Sequence, residues 1–134
     1  MEPLIPSIAL LFASLHVLLF VVLSLRVILW RKRMRVGLGS GKDEVLSRRV
    51  RVHANFAEYM PLALLLLALL ELVGTRPVWL WSCGALLLAG RVLHAWGLGR
   101  SAGVSAGRFI GTLLTLIVLL WMAGLGVGRF AAGL

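Results

Sequence analysis

The chain has 134 residues, of which 60% are hydrophobic and 14% are charged, and its formal net charge at pH 7 is +9. A soluble domain of this length cannot bury so much apolar surface, whereas a lipid bilayer accepts apolar side chains on the outside of a protein. The basic residues cluster in short segments between apolar runs and carry no nucleic-acid-binding motif. Composition and charge therefore argue against a soluble enzyme and a nucleic-acid-binding protein, and they predict one integral membrane domain over residues 1–134.

Four apolar stretches follow one another along the chain, and each has about the 20 residues that a helix needs to cross the hydrocarbon core. Segments that span lipid must satisfy their own backbone hydrogen bonds, so all four are predicted as α-helices. The first stretch lacks a basic start and is too long for a signal peptide, so we expect it to be retained. The predicted fold class is all-α, a membrane four-helix bundle of up-and-down topology. The predicted helices cover residues about 4–30, 50–73, 78–98 and 109–130.

The three loops between the predicted helices differ in charge. Loop one is rich in Arg and Lys, and loop three contains Arg100 and ends at Arg108, whereas loop two contributes only Arg76. The positive-inside rule then places loops one and three in the cytoplasm and both termini outside. The compact chain, rich in Arg, Leu, Ala and Gly, favours a bacterial inner membrane.

Glycines occur at every fourth position of loop three, and the series continues through Gly103 and Gly107 to Gly111 in the fourth helix. A stripe of small residues is typical of membrane helices that pack closely together. The same residues are also compatible with a flexible connection, so the sequence leaves both interpretations open.

Polar residues stand at the start of the second helix, where lipid-facing residues would be apolar. Arg51, Asn55 and Glu58 are spaced four and three residues apart and share one helix face, with Tyr59 beside them. A carboxylate in the apolar zone costs about 2.5–3.5 kcal/mol on insertion scales, so Glu58 should face a partner or a wet cavity. Pro61 follows and removes one backbone hydrogen bond of the helix near this site.

The other three helices carry ionisable residues at the same membrane level. They are Arg26 late in helix one, Arg91 and His94 on one face of helix three, and Arg108 at the start of helix four. One carboxylate and several guanidiniums suit a small anionic ligand that also carries an amine. Glutathione has this pattern, with two carboxylates, one ammonium group and a thiol. No metal site is predicted.

The start of helix two resembles the most diagnostic motif of the MAPEG family, which includes microsomal glutathione transferases, leukotriene and prostaglandin E synthases and the five-lipoxygenase-activating protein. The family motif is Arg, Asn four residues later and Glu three residues after that, often followed by Tyr and Pro. Here these positions hold Arg51, Asn55, Glu58, Tyr59 and Pro61. Chain length, helix number, a basic first loop and a very short second loop also agree with the family over the whole chain.

The resemblance implies a homotrimer in the lipid bilayer that binds glutathione between neighbouring subunits, in a pocket facing the cytoplasm. Carried over to this sequence, Glu58 binds the glutathione amine and Arg51 binds a carboxylate. Asn55 helps to hold the peptide, and Tyr59 lines the same pocket. Glutathione is then a co-substrate.

The resemblance also assigns roles on the other helices. Arg26 is similar to a helix-one arginine that family members use, and His94 stands where relatives place a ligand-binding Tyr or His. The arginine that stabilises the glutathione thiolate lies near the start of helix four, so Arg108 is the catalytic candidate and Arg100 the alternative. A nearby guanidinium favours the thiolate, which is the nucleophile. The implied function is a glutathione transferase or peroxidase that acts on lipophilic small molecules.

Two other functions remain compatible with the sequence. The family includes non-enzymes, so the chain is alternatively a lipid-binding scaffold. It is less readily a small proton-coupled exporter that uses Glu58, because such exporters usually place the acid in helix one and show little charge bias. Glutathione binding, and then conjugation, distinguishes the three.

The remaining polar residues of the helices are expected to have structural roles. Glu71, at the end of helix two, should be solvated or paired with Arg76. His16 should be hydrogen-bonded between helices, Arg91 should be structural, and Thr115 should bond to its own helix backbone.

Overall fold

A computed structural model of the protein describes residues 5–100 and 106–133, except for the side chains of residues 98–100. Within these ranges the chain forms helices and no strands, and four helices are long and apolar enough to cross a membrane. Consecutive helices pack against each other, and α1 and α2 also contact α3 and α4, respectively. The predicted all-α four-helix bundle is confirmed. The helices are α1 (Ser7–Met34), α2 (Glu44–Leu72), α3 (Pro77–Arg100) and α4 (Ala106–Ala131).

Asp43 sets the start of α2, which begins at Glu44 and not at the predicted residue 50. Its carboxylate accepts a hydrogen bond from the backbone N–H of Leu46, as an N-cap residue does, and another from the indole N–H of Trp30 at 3.0 Å. These two hydrogen bonds hold the pKa of the Asp43 carboxyl below its usual value. The Arg49 guanidinium lies 4.3 Å from the centroid of the Trp30 ring. The end of α1 is thus joined to the start of α2.

Glu71 caps the other end of α1. Its carboxylate accepts hydrogen bonds from the backbone N–H groups of Ile8, at 2.9 Å, and Ala9, at 2.7 Å, and the residue is only 8% exposed. Pro6, the N-cap of α1, supplies no side-chain hydrogen bond, so α2 provides the acceptor that the free N–H groups need. The expectation that Glu71 is solvated or paired with Arg76 is therefore wrong.

His16 does not form the expected hydrogen bond between helices. Its Nδ1 atom is 2.7 Å from the carbonyl oxygen of Phe12, one turn earlier in α1, and the residue is buried. Its ring packs near that of Phe56, with 6.0 Å between the centroids. His16 thus packs beside the hydrophobic core, to which all four helices contribute, with Leu87 and Met122 from α3 and α4.

Glycines bring the backbone of α4 against that of α3. A Cβ atom added at Gly111 would lie 2.5 Å from the carbonyl oxygen of Gly90 and 2.6 Å from the backbone nitrogen of His94. One added at Gly107 would lie 3.2 Å from a backbone oxygen of α3. At these two positions the glycine stripe is close-packed. Gly103 lies outside the described residues.

Gly111→Ala should therefore destabilise the bundle, because the new methyl group meets backbone atoms that cannot move without separating α3 from α4. We expect a loss of about 1–3 kcal/mol in the free energy of unfolding, measured by denaturation in detergent. Gly124→Ala is the matched control on the same helix, since a Cβ atom there meets nothing within 4 Å. Equal stability of the two variants would contradict the importance of close packing at Gly111.

Candidate functional site

The exposed face of α2 carries an ion pair. The Nη1 atom of Arg51 lies 3.3 Å from Oε1 of Glu58, two helical turns further along, as their spacing predicts. The two side chains are 62% and 52% exposed, so both groups are accessible from outside the single subunit. Both charges are thus accessible to a ligand or to a neighbouring subunit.

Asn55 and Tyr59 contact a buried cation on α3. The Oδ1 atom of Asn55 accepts a hydrogen bond of 2.7 Å from Nη1 of Arg91, and the Arg91 guanidinium carbon lies 5.5 Å from the centroid of the Tyr59 ring. Arg91 is only 1% exposed. Asn55 and Tyr59 are half-buried at the edge of the exposed face of α2, and Arg91 contacts both of them from the protein interior.

Arg91 also binds α4. Its Nη2 atom donates to the hydroxyl of Thr115 at 2.6 Å and to the carbonyl oxygen of Gly111 at 3.3 Å. The Thr115 hydroxyl donates to the same carbonyl oxygen at 2.8 Å, which confirms its expected bond to its own helix. Arg91 thus links α2, α3 and α4. Its part in positioning Asn55 was not predicted, because spacing within one helix does not reveal partners on two others.

His94 and Arg108 extend the cluster towards α4. His94 follows Arg91 by almost one turn, is 4% exposed, and interacts electrostatically with the guanidiniums of Arg91, Arg108 and Arg51. Arg108 stands exposed in the first turn of α4. The predicted residues of α2, α3 and α4 therefore converge. The guanidiniums of Arg51, Arg91 and Arg108 thus act on one buried imidazole, and that of Arg51 is also paired with the Glu58 carboxylate.

Arg26 lies elsewhere within the subunit. Its carbonyl oxygen accepts a hydrogen bond of 2.9 Å from Arg49, and both residues line a small cavity between α1 and α2. Residues two apart on a helix point in directions roughly 200° apart, so Arg49 and Arg51 lie on opposite sides of α2. The contacts of the described residues thus do not bring Arg26 to the face that carries Glu58. The side chain of Arg100 lies outside the description.

An apolar groove begins where the polar face of α2 ends. Leu62, Leu65 and Leu69 continue the spacing of four and three residues from Glu58, and they therefore share its face. Together with leucines of α4, including Leu116, they line a groove of about 500 Å³. One face of α2 thus passes from a charged half to an apolar half.

Comparison with known proteins finds a matching family and named relatives. The MAPEG family matches the chain over residues 9–128. The inner membrane protein YecN of Escherichia coli strain K12 is 34% identical over 117 residues, which cover 83% of this chain and 88% of YecN. YecN of Escherichia coli O6:H1, strain CFT073, gives the same values. The name of these relatives places them in the inner membrane, which is also the location predicted from the sequence of this chain.

Proposed function

Because the chain belongs to the MAPEG family, we propose that it binds glutathione and transfers it to lipophilic electrophiles, or uses it to reduce lipophilic peroxides, in the bacterial inner membrane. The observation that carries this proposal is one accessible carboxylate, that of Glu58, paired with Arg51, whose guanidinium acts on His94 together with those of Arg91 and Arg108. Glutathione offers the complementary set of two carboxylates and one ammonium group. A single acid among several arginines therefore suits it better than it suits a simple cation or a neutral lipid.

Each side of the Arg51–Glu58 pair has a counterpart on this ligand. On binding, Glu58 accepts hydrogen bonds from the ammonium group and Arg51 donates to a carboxylate, so the pair exchanges one ionic partner for another. Asn55 and Tyr59 complete the polar surface, and Arg91 fixes their position. A partly preformed surface of this kind lowers the cost of ordering side chains on binding.

Arg108 acts on the reactive sulfur. A positive charge near the thiol favours the thiolate, and the thiol proton passes to solvent. The sulfur then attacks an electrophilic carbon, a C–S bond forms, and the leaving group departs with its electron pair. With a peroxide, the sulfur attacks one oxygen and the O–O bond breaks to give an alcohol and a sulfenic acid, which a second glutathione reduces to the disulfide and water.

The apolar half of the same face supplies the second substrate. The groove at Leu62, Leu65 and Leu69 adjoins Glu58 and opens towards lipid. A lipophilic electrophile dissolved in the bilayer thus reaches the sulfur along α2 without crossing water.

A homotrimer accounts for two features that a single subunit leaves incomplete. Glu58 is 52% exposed on a membrane-spanning helix, where a carboxylate in contact with lipid is costly. Arg26 lies away from that carboxylate in its own subunit, so only a neighbouring copy brings an Arg26 side chain to the site. A glutathione site between two subunits covers Glu58 and also brings the neighbour's copy of Arg26 to it.

A glutathione isotherm on the purified full chain in detergent tests the proposal, and native mass measurement of the same sample tests the assembly. We expect saturable binding, a trimeric mass and conjugation of 1-chloro-2,4-dinitrobenzene. Absence of binding would contradict the function, and a stable monomer would contradict the shared site. Binding without conjugation or peroxide reduction would favour the scaffold, and Glu58-dependent transport without glutathione binding would favour the exporter.

A further inference from the structure

A second groove lies between α3 and α4 at the end of the bundle where loop two joins α2 to α3. We call it the Arg129 groove. Arg129 is 21 residues after Arg108, which corresponds to about 30 Å along α4, the thickness of the hydrocarbon core. The groove is therefore separated from the glutathione site by the width of the membrane. Its volume is about 480 Å³, and its lining includes Trp79, Leu120, Trp121, Gly124, Gly128 and Arg129.

The walls of the Arg129 groove are aromatic, and part of its lining has no side chain. The Trp79 and Trp121 rings lie 5.3 Å apart at 44° and are 38% and 50% exposed. A Cβ atom added at Gly124 or Gly128 would meet nothing within 4 Å, unlike one at Gly111. These two glycines therefore pack against no described part of the chain, and they leave space beside the tryptophans for another molecule.

Arg129 supplies the only cation among the residues that line this groove in the described structure. One Nη2 hydrogen bond to the carbonyl oxygen of Val73 ties the guanidinium to the end of α2, and its buried Nε has no hydrogen-bond partner. Neither ion pair found among the described residues involves Arg129, and Glu71 is occupied by the N-terminus of α1. A guanidinium with unused donors matches the oxygens of a phosphate group.

We propose that the Arg129 groove binds an anionic phospholipid. Its phosphate lies at Arg129, and one acyl chain runs past Gly128 and Gly124 to Trp121, a distance of about 12 Å along α4. Tryptophan at this depth and a basic residue at the helix end are what the interface between headgroups and hydrocarbon favours. The apolar lining distinguishes a lipid from free phosphate, and the positive charge favours phosphatidylglycerol over phosphatidylethanolamine. The site is independent of glutathione.

Lipid titration of the delipidated full chain, followed by native mass spectrometry, tests this site. We expect tighter binding of phosphatidylglycerol than of phosphatidylethanolamine. Arg129→Gln keeps a donor for the Val73 carbonyl but removes the charge, and it should weaken phosphatidylglycerol binding by about fivefold or more. Equal affinity for both lipids, or no loss in Arg129→Gln, would overturn the proposal.

Two leucine substitutions at adjacent positions of α4 test whether lipid binding depends on the space in the Arg129 groove as well as on the charge of Arg129. Gly124→Leu adds a side chain to the Arg129 groove at a position where a Cβ atom meets nothing within 4 Å, and it should reduce lipid binding. Ala123→Leu instead adds a side chain to the other groove, which Leu116 lines, and should not reduce lipid binding at Arg129. Equal effects of the two variants would overturn the proposal. So would full displacement of the lipid by inorganic phosphate, which indicates a simple anion site, or a changed subunit number in Gly124→Leu alone, which indicates that a second copy of the chain fills the groove.

Discussion

Replacing Glu58 with Gln should weaken glutathione binding by about 1–3 kcal/mol, or roughly five- to 150-fold in Kd. The substitution keeps the shape of the side chain but removes the charge that pairs with the ligand's ammonium group. It also releases Arg51 from its 3.3 Å ion pair, and Arg51 can still bind a carboxylate. Titration calorimetry in detergent measures the effect.

Glu44→Gln is the matched control for this experiment. Glu44 lies on the same helix and also pairs with an arginine, at 3.9 Å from Arg48, and its side chain is 86% exposed. It lies 14 residues before Glu58, about 21 Å along α2, so its loss should leave the isotherm unchanged. A similar weakening in both variants would mean that glutathione binding depends on the overall charge of the protein and not on Glu58 in particular.

Arg108→Ala should leave glutathione affinity almost unchanged but raise the pKa of the bound thiol by about 1–3. At pH 7 less of the bound glutathione is then thiolate, and turnover should fall by about tenfold or more. A fall in turnover without a loss of affinity is the mark of a group that acts on the reactive form. Thiolate absorbance against pH, recorded with glutathione bound, measures the change directly.

Arg76→Ala, which removes an exposed arginine at the opposite end of the bundle, is the control. It should change neither the thiol pKa nor turnover. If Arg108→Ala leaves the thiol pKa unchanged, Arg108 does not stabilise the thiolate, and Arg100 becomes the residue to test. If neither arginine matters while Glu58 does, the protein binds glutathione without activating it.

Hydropathy and helical spacing were enough to predict the four helices and the shared face of Arg51 and Glu58. They located the apolar part of α2 but not the start of the helix. The helix begins at Glu44, directly after its N-cap Asp43, in a charged turn outside the apolar run. Hydropathy measures affinity for lipid, whereas a helix begins where a side chain satisfies its first N–H groups. The two boundaries coincide only when the cap lies at the membrane surface.

Interactions between distant segments could not be predicted in this way. Glu71 was expected to be solvated or paired with nearby Arg76, yet its partners lie 62 and 63 positions away in the chain. The hydrogen bond between Arg91 and Asn55 likewise depends on how α3 is rotated against α2. Spacing shows which residues share a helix face, but it does not show which neighbour that face meets.

The hydrogen bonds of Arg91 have a consequence for the synthesis of the chain. A lone arginine in the middle of a membrane helix costs about 2.5–3.5 kcal/mol on insertion scales. When α3 leaves the ribosome, Asn55 has already been made, but Gly111 and Thr115 belong to a helix that follows it. The third helix therefore enters the bilayer with its cation only partly satisfied, and it becomes a stable span when the last helix arrives beside it. A nascent chain cut before α4 should accordingly remain a substrate for quality-control proteolysis.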